Sequence, residues 1–360
     1  MTYERDNIHR MKGYQWGEQP EDGDAVKLNT NENPYPPSPR VQEALSSLDA
    51  GALRRYPQPT ADPLRDRLSL MHGLSRDHIL VTHGGDEGLR LAMTTFVDPG
   101  ATFAMAEPSY SLYPVLAQIQ DARVFTVALD DQWQLPADTA GRLDGAGARL
   151  TCLVNPHAPS GTLTSAERLA SLARDLQGVL LVDEAYVDFV DPALGHDLTP
   201  LVRDLPNLLL LRTFSKGYSL AGLRLGYLLG HPDLILPMIS KTRDSYNVDV
   251  ISQALGEAAV RDRAYAENTW NEVRAARQAL HHGLAQIGLT AWPSQSNFLL
   301  VRVPATARCT PRELYQHLKD RDILVRYFDA PRLDDCLRIT VGTADQNQRL
   351  IAALGEALDG

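Results

Sequence analysis

Cysteine is nearly absent from this chain. Among 360 residues there are three, Cys152, Cys309 and Cys336. They lack the paired spacing of a metal site and the even count of a disulfide framework, so neither a metal nor a disulfide scaffold is expected. Their neighbourhoods, "LTCLVN" and "DDCLRIT", read as reduced core thiols of a cytoplasmic protein. Long apolar runs are missing too. No segment approaches the ~20 apolar residues of a membrane span, and "MTYERDNIHRMKGYQWGEQ" holds no apolar stretch of a signal peptide. The expectation is a cytosolic chain with no membrane partner. Positive charge is also short: the net charge of -10 is spread along the chain with no basic face, which argues against nucleic acid as a partner. No repeat of 20 to 50 residues and no low-complexity tract is present, which sets solenoids and fibres aside. Within the basic residues lysine is scarce. Of 35 Lys plus Arg, five are lysines (Lys12, Lys27, Lys216, Lys241, Lys319), leaving 30 arginines.

What is present describes a soluble enzyme of ordinary composition, long enough for one large domain, a smaller one and a bound cofactor. "NTNENPYPPSP" (29–39) is a proline-broken extended loop. After it, apolar runs at 78–84, 102–107, 123–129, 149–155, 178–186, 207–215 and 223–230 alternate with helical patterns such as 86–97 and 165–177. Continuous apolar runs predict strands buried on both faces, and the alternation predicts βαβ units. The fold class is therefore α/β, a large domain with a mostly parallel sheet sandwiched by helices. From about Ser245 a long Ala/Glu/Arg-rich stretch (250–288) reads as helix. Short strands at 297–303, 323–328 and 336–342 follow, giving a smaller α+β C-terminal domain. The expected division is an arm at 1–30 packing with the small domain, a large domain at 31–245 and a small one at 246–360.

Ligands of open α/β sheets bind beyond the carboxyl ends of the strands, so polar residues just after apolar runs carry the most weight. "HGGDEG" (83–88) opens a helix whose free N–H groups can hold a phosphate, or can simply be a turn. "DEAYVDF" (183–189) sets Asp183 at a strand end with Tyr186 three residues on; such an acid can serve chemistry or a structural pair. "RTFSKGYSLAGLRLGY" (212–227) places a rare lysine, Lys216, after an apolar strand, with Thr213, Ser215 and Arg224 around it. Burial and a nearby cation lower a lysine's pKa toward the neutral nucleophile. Together a phosphate cradle, an acid, a phenol and an amine suit pyridoxal phosphate, whose ring needs a protonated nitrogen to draw electrons.

The ordered motifs "NENPYP", "RYPQP", "GGDEG", "PSYSLY", "NPHAPSG", "DEAYVDF", "SKGYSLAGLRLG", "SNFLLVR" and "LRITVG" resemble the class I/II aminotransferases of pyridoxal-phosphate fold type I, and among them the histidinol-phosphate branch. The resemblance implies pyridoxal 5'-phosphate as cofactor and a transamination between a small-molecule amino donor and an oxo acceptor. In that branch the reaction is L-histidinol phosphate with 2-oxoglutarate, in histidine biosynthesis. It also assigns roles. Lys216 would join the cofactor and move the substrate proton, Asp183 would pair with the ring nitrogen, and Tyr186 would bond the phenolic oxygen. Tyr110 would lie on the ring face. Gly85, Asp86, Ser215 and Arg224 would hold the phosphate. Tyr56 would reach the neighbouring subunit's cofactor and substrate, making a homodimer part of the site. Arg338 would bind the substrate's acidic group, with Arg326 and Tyr14 helping to hold its phosphate; an arginine on an edge strand can equally be just solvated.

One position departs from the family pattern. "NPHAPSG" has Ala158 where an asparagine amide is usual, so a donor to the phenolic oxygen is lost, and Tyr186 with His157 or a water is expected to take over. Rival readings are the same fold serving aromatic or other amino acids, a threonine-phosphate decarboxylase-like enzyme, a ligand-sensing regulator, or an oligomer with a vestigial site. The regulator would need a helix-turn-helix or basic face that the first ~30 residues lack.

Overall fold

The computed structural model describes residues 3–20 and 24–359. Residues 1, 2 and 21–23 of the expected arm and residue 360 of the expected small domain lie outside them. Seven strands form the main sheet: β1 (Ile79–Thr82), β2 (Thr102–Glu107), β3 (Arg123–Ala128), β4 (Ala148–Val154), β5 (Val179–Asp183), β6 (Leu208–Thr213) and β7 (Gly226–Gly230). Their order is β1-β7-β6-β5-β4-β2-β3, and β7 alone runs against its neighbours. The sheet is thus mostly parallel and flanked by helices. Its middle strands are Leu/Val runs buried along most of their length, as continuous apolar segments require. The run at 123–128 differs from expectation. It is the sheet edge, where only Val127 is buried and Val124 is exposed.

Register collects the polar strand ends. Val154 pairs with Asp183, Asp183 with Leu211, Thr213 with Gly226, and Gly226 with Thr82. Because β7 is antiparallel, its first residue lies beside the last residues of the others, so Arg224, two positions earlier, enters at the same end. Gly226 makes this possible. A Cβ there would lie 2.9 Å from the Gly84 carbonyl carbon and 3.0 Å from the Gly85 nitrogen, so any side chain would push the helix Gly84–Phe96 off the sheet.

Helices Val250–Arg261 and Arg263–Gln286 lead into a second, antiparallel sheet of β8 (Thr290–Ala291), β9 (Phe298–Arg302), β10 (Arg326–Tyr327) and β11 (Cys336–Thr340), ordered β10-β11-β9-β8. The single strand expected at 323–328 is divided. Ile323–Leu324 pairs in parallel with Val26–Lys27, and only Arg326–Tyr327 joins β11. Near the start of the chain, Arg5 and Asn7 donate to the carbonyls of Ile119 (2.9 Å) and Gln118 (2.8 Å), while Glu18 meets Lys319 at 2.6 Å and Tyr315 at 3.0 Å. No helix among the described residues is long and apolar enough to cross a membrane, and none of their His, Cys, Asp and Glu side chains cluster as a metal site.

Candidate active site

Lys216 follows β6 on a turn whose next residue must be glycine, since a Cβ at Gly217 would overlap the Asp188 carboxylate. Its Nζ donates to the Thr30 carbonyl at 2.7 Å, which brings the "NENPYP" loop against the amine. Burial, reinforced by the charges of Arg338, Lys27 and Arg224 and opposed by Glu32, lowers the amine's pKa to about 8. A useful neutral fraction therefore exists near pH 7.

Asp183, at the end of β5, is 5 % exposed. Burial raises its pKa to about 6, against hydrogen bonds from the Tyr113 hydroxyl (2.9 Å) and the Ala185 N–H (3.1 Å) that favour the anion. A buried carboxylate so placed is stabilised by a cation. Three residues on, Tyr186 is also buried, set edge-on to Phe298 with centroids 5.0 Å apart, and its hydroxyl accepts from Asn31 Nδ2 at 3.0 Å. Burial raises the Tyr186 pKa, and the charge of Arg338 works against that rise.

The start of helix Gly84–Phe96 has groups that could hold an anion. The N–H groups of Gly85 and Asp86 belong to the first turn, which a helix leaves unpaired. Arg224, at φ 54°, turns its guanidinium onto this turn, so close that a Cβ at Gly84 would come within 2.8 Å of Nη2. Arg224 Nη1 reaches Ser215 Oγ at 3.4 Å, and Nη2 reaches the Asp86 carboxylate at 3.3 Å. Ser215 is held in turn by its N–H donating to Thr213 Oγ1 at 3.1 Å. Tyr110 packs edge-on against Tyr113 (5.5 Å) and Tyr14 (5.9 Å), and burial raises its pKa.

Across the site, β10 and β11 bring Arg326 and Arg338 directly opposite each other. Like charges paired across strands destabilise a sheet unless an anion joins them. β11 is an inner strand, so Arg338 is not a solvated edge residue. Its Nη2 donates to the Asn29 carbonyl at 2.9 Å, its guanidinium lies over Phe298 (5.3 Å) and Phe328 (5.5 Å), and its buried Nε has no partner among the described residues. Tyr56 stands apart. It is 80 % exposed and stacks on Tyr246 with centroids 4.4 Å apart. His157 does not fit the donor role expected of it: one ring nitrogen pairs with Ser160 Oγ at 2.7 Å and the other with the Pro108 carbonyl at 2.9 Å. Sequence reasoning had passed over Tyr113, Asn31 and Thr30. Tyr113 stands in the quoted "PSYSLY", Asn31 opens "NENPYP" and Thr30 directly precedes it, but nothing local marks them as partners of Asp183, Tyr186 and Lys216.

A buried amine of lowered pKa, a buried acid, a buried phenol and a helix start facing an arginine thus lie at one end of a mostly parallel sheet with one reversed strand. The chain belongs to the class I and II aminotransferases, whose family model matches residues 23–354. It is 41% identical to histidinol-phosphate aminotransferase 1 of Trichormus variabilis over 99% of both chains, and 42% identical to the histidinol-phosphate aminotransferase of Chromohalobacter salexigens over 96% of both. Among solved structures, that of histidinol-phosphate aminotransferase from Sinorhizobium meliloti in complex with pyridoxal-5'-phosphate superposes with a TM-score of 0.87 at 27% identity, covering 93% of this chain and 91% of that one.

Proposed function

We propose that this enzyme is a pyridoxal-phosphate-dependent transaminase that takes L-histidinol phosphate and 2-oxoglutarate to imidazole-acetol phosphate and L-glutamate. The observation carrying the substrate is the facing pair Arg326 and Arg338, with an unpaired buried Nε, beside Tyr186 and the aromatic pair Tyr14 and Tyr110. Two close cations over aromatic faces favour a doubly charged phosphate in the amino-donor half-reaction and a carboxylate in the other. The near-full-length identity to relatives of that name supports the same reading.

When bound, the cofactor supplies an electron sink for the bond broken at the substrate Cα. The residues do the rest. Gly85, Asp86, Ser215 and Arg224 would hold the phosphate, Tyr110 would lie against the ring, and Asp183 would keep the ring nitrogen protonated. Tyr186 would donate to the phenolic oxygen. Lys216 Nζ, with its lowered pKa, removes the Cα proton and later returns one. Tyr14, Arg326 and Arg338 orient the substrate. Tyr56, exposed with Tyr246, extends to the site of a second copy, so the working unit is a homodimer. The arm (1–30), large domain (31–245) and small domain (246–360) divide these tasks. Three free thiols fit a cytoplasmic setting.

The test is a half-reaction screen followed by cofactor absorbance, comparing histidinol phosphate with phenylalanine. A large preference for histidinol phosphate in kcat/KM is expected, and a preference for phenylalanine overturns the assignment.

A further inference from the structure

The Tyr186 hydroxyl sits in a hydrogen-bonded chain that crosses the molecule. Thr340, the last residue of β11, and Asn31, in the N-terminal loop, are each 2 % exposed. Thr340 Oγ1 accepts from the Asn31 backbone N–H at 3.0 Å and lies 3.1 Å from Asn31 Oδ1. Asn31 Nδ2 lies 3.0 Å from the Tyr186 hydroxyl, and the Asn31 carbonyl is fixed by Asn297 Nδ2 at 3.0 Å.

These contacts settle which way each proton points. The backbone N–H of Asn31 already uses one lone pair of Thr340 Oγ1, so the threonine proton needs an acceptor, and Asn31 Oδ1 is the one within reach. That fixes the amide: were it flipped, the buried threonine proton would face an NH2 group, and a buried donor left unmade is costly. With Oδ1 held by Thr340, the NH2 group must face Tyr186. The tyrosine oxygen then accepts, and its single proton is left to donate elsewhere. Among the described residues the Tyr186 hydroxyl has no other hydrogen bond.

We propose that Thr340 and Asn31 are positioning residues that compel Tyr186 to act as a donor toward the cofactor's phenolic oxygen, so that a small-domain strand sets the proton affinity of the cofactor in the large domain. The inference rests on the cofactor reading above. A donor at that oxygen draws negative charge away from the neighbouring proton-binding nitrogen, so weakening it raises the pH at which the bound cofactor's visible absorbance changes.

The experiment titrates that absorbance in the holoenzyme and in Tyr186→Phe, Thr340→Val, Asn31→Ala and Thr340→Ser. Tyr186→Phe is expected to raise the midpoint by about one pH unit or more, the size of a lost bond to a charged oxygen. Thr340→Val and Asn31→Ala should raise it by a smaller amount, and Thr340→Ser, which keeps the hydroxyl, should restore it. Thr340→Val combined with Tyr186→Phe should shift no further than Tyr186→Phe alone, because both act through one bond. Asn31→Ala reaches that bond from the other side should Thr340→Val fail to fold. A wild-type band lost in Lys216→Ala, with midpoints unmoved by Thr340→Val or Asn31→Ala, or with shifts that add to that of Tyr186→Phe, overturns the relay alone. Absence of any such band in the wild type overturns the cofactor reading and the relay with it.

Discussion

Lys216 offers the most direct check on the site, because its amine can be titrated without any cofactor. An ordinary lysine near pKa 10.4 is neutral in about one molecule in 2,500 at pH 7, whereas a pKa of about 8 makes it neutral in about one in ten. The cause is burial first, and the surrounding charges can be altered singly. Glu32 opposes the shift. Burial works against its charge, but bonds from Lys27 (2.5 Å) and the Thr30 hydroxyl (2.6 Å) outweigh that and hold its carboxyl below the usual range. Glu32→Gln removes the counter-charge that most favours the charged Lys216 and leaves Lys27 uncompensated, so the Lys216 midpoint should fall further, by on the order of one pH unit at an effective dielectric near 20. The assay is competitive acetylation of the cofactor-free protein across pH 6 to 11, read by mass spectrometry at Lys216 with exposed Lys241 as the in-molecule reference. A wild-type midpoint above about 10, or a rise on Glu32→Gln, would refute the electrostatic account.

Three further outcomes follow from the geometry. Asp183 has a folded pKa of about 6, above its unfolded value, so its contribution to stability is full below about pH 4 and is lost as pH rises through 6; the charged carboxyl then costs about 3 kcal/mol at most. Asp183→Asn in the cofactor-free protein should raise the thermal midpoint at pH 8 and not at pH 4, and an equal change at both would count against the burial account. Arg224→Ala removes the cation of the proposed phosphate cradle and should weaken cofactor binding at equilibrium by about tenfold to a hundredfold; unchanged affinity would remove Arg224 from the cradle. Ala158→Asn adds a donor at a buried position, 5 % exposed, and should lower the absorbance midpoint of the holoenzyme by about one pH unit; identical midpoints would show that position 158 does not reach the phenolic oxygen.

What could be read from the chain, and what could not, divides along sequence distance. The apolar runs that become β4, β5 and β6 are local signals, because a strand buried on both faces is apolar wherever the chain comes from. Lys216 and Asp183 stand out for the same reason: each is the polar residue at the end of such a run, and a parallel sheet brings those ends together. Local pattern fails where meaning depends on the partner. The run at 123–128 looks like β5 in composition, yet no strand among the described residues pairs with its outer edge, and "ILVRYF" looks like one strand because sequence cannot say that its two halves meet Lys27 and Leu337 in different sheets. The same limit hides the relay. Asn31 and Thr340 are 309 residues apart and Tyr113 and Asp183 are 70 apart, so nothing near any of them announces a shared proton. His157 shows the converse: a histidine beside the missing asparagine invites a catalytic reading, but its two nitrogens are used by Ser160 and Pro108, and burial pushes its pKa down to about 4. It holds a loop in place. On the proposed reading the donor role left open at position 158 would fall to Tyr186, whose hydroxyl meets Asn31 and, through it, a threonine in the other sheet.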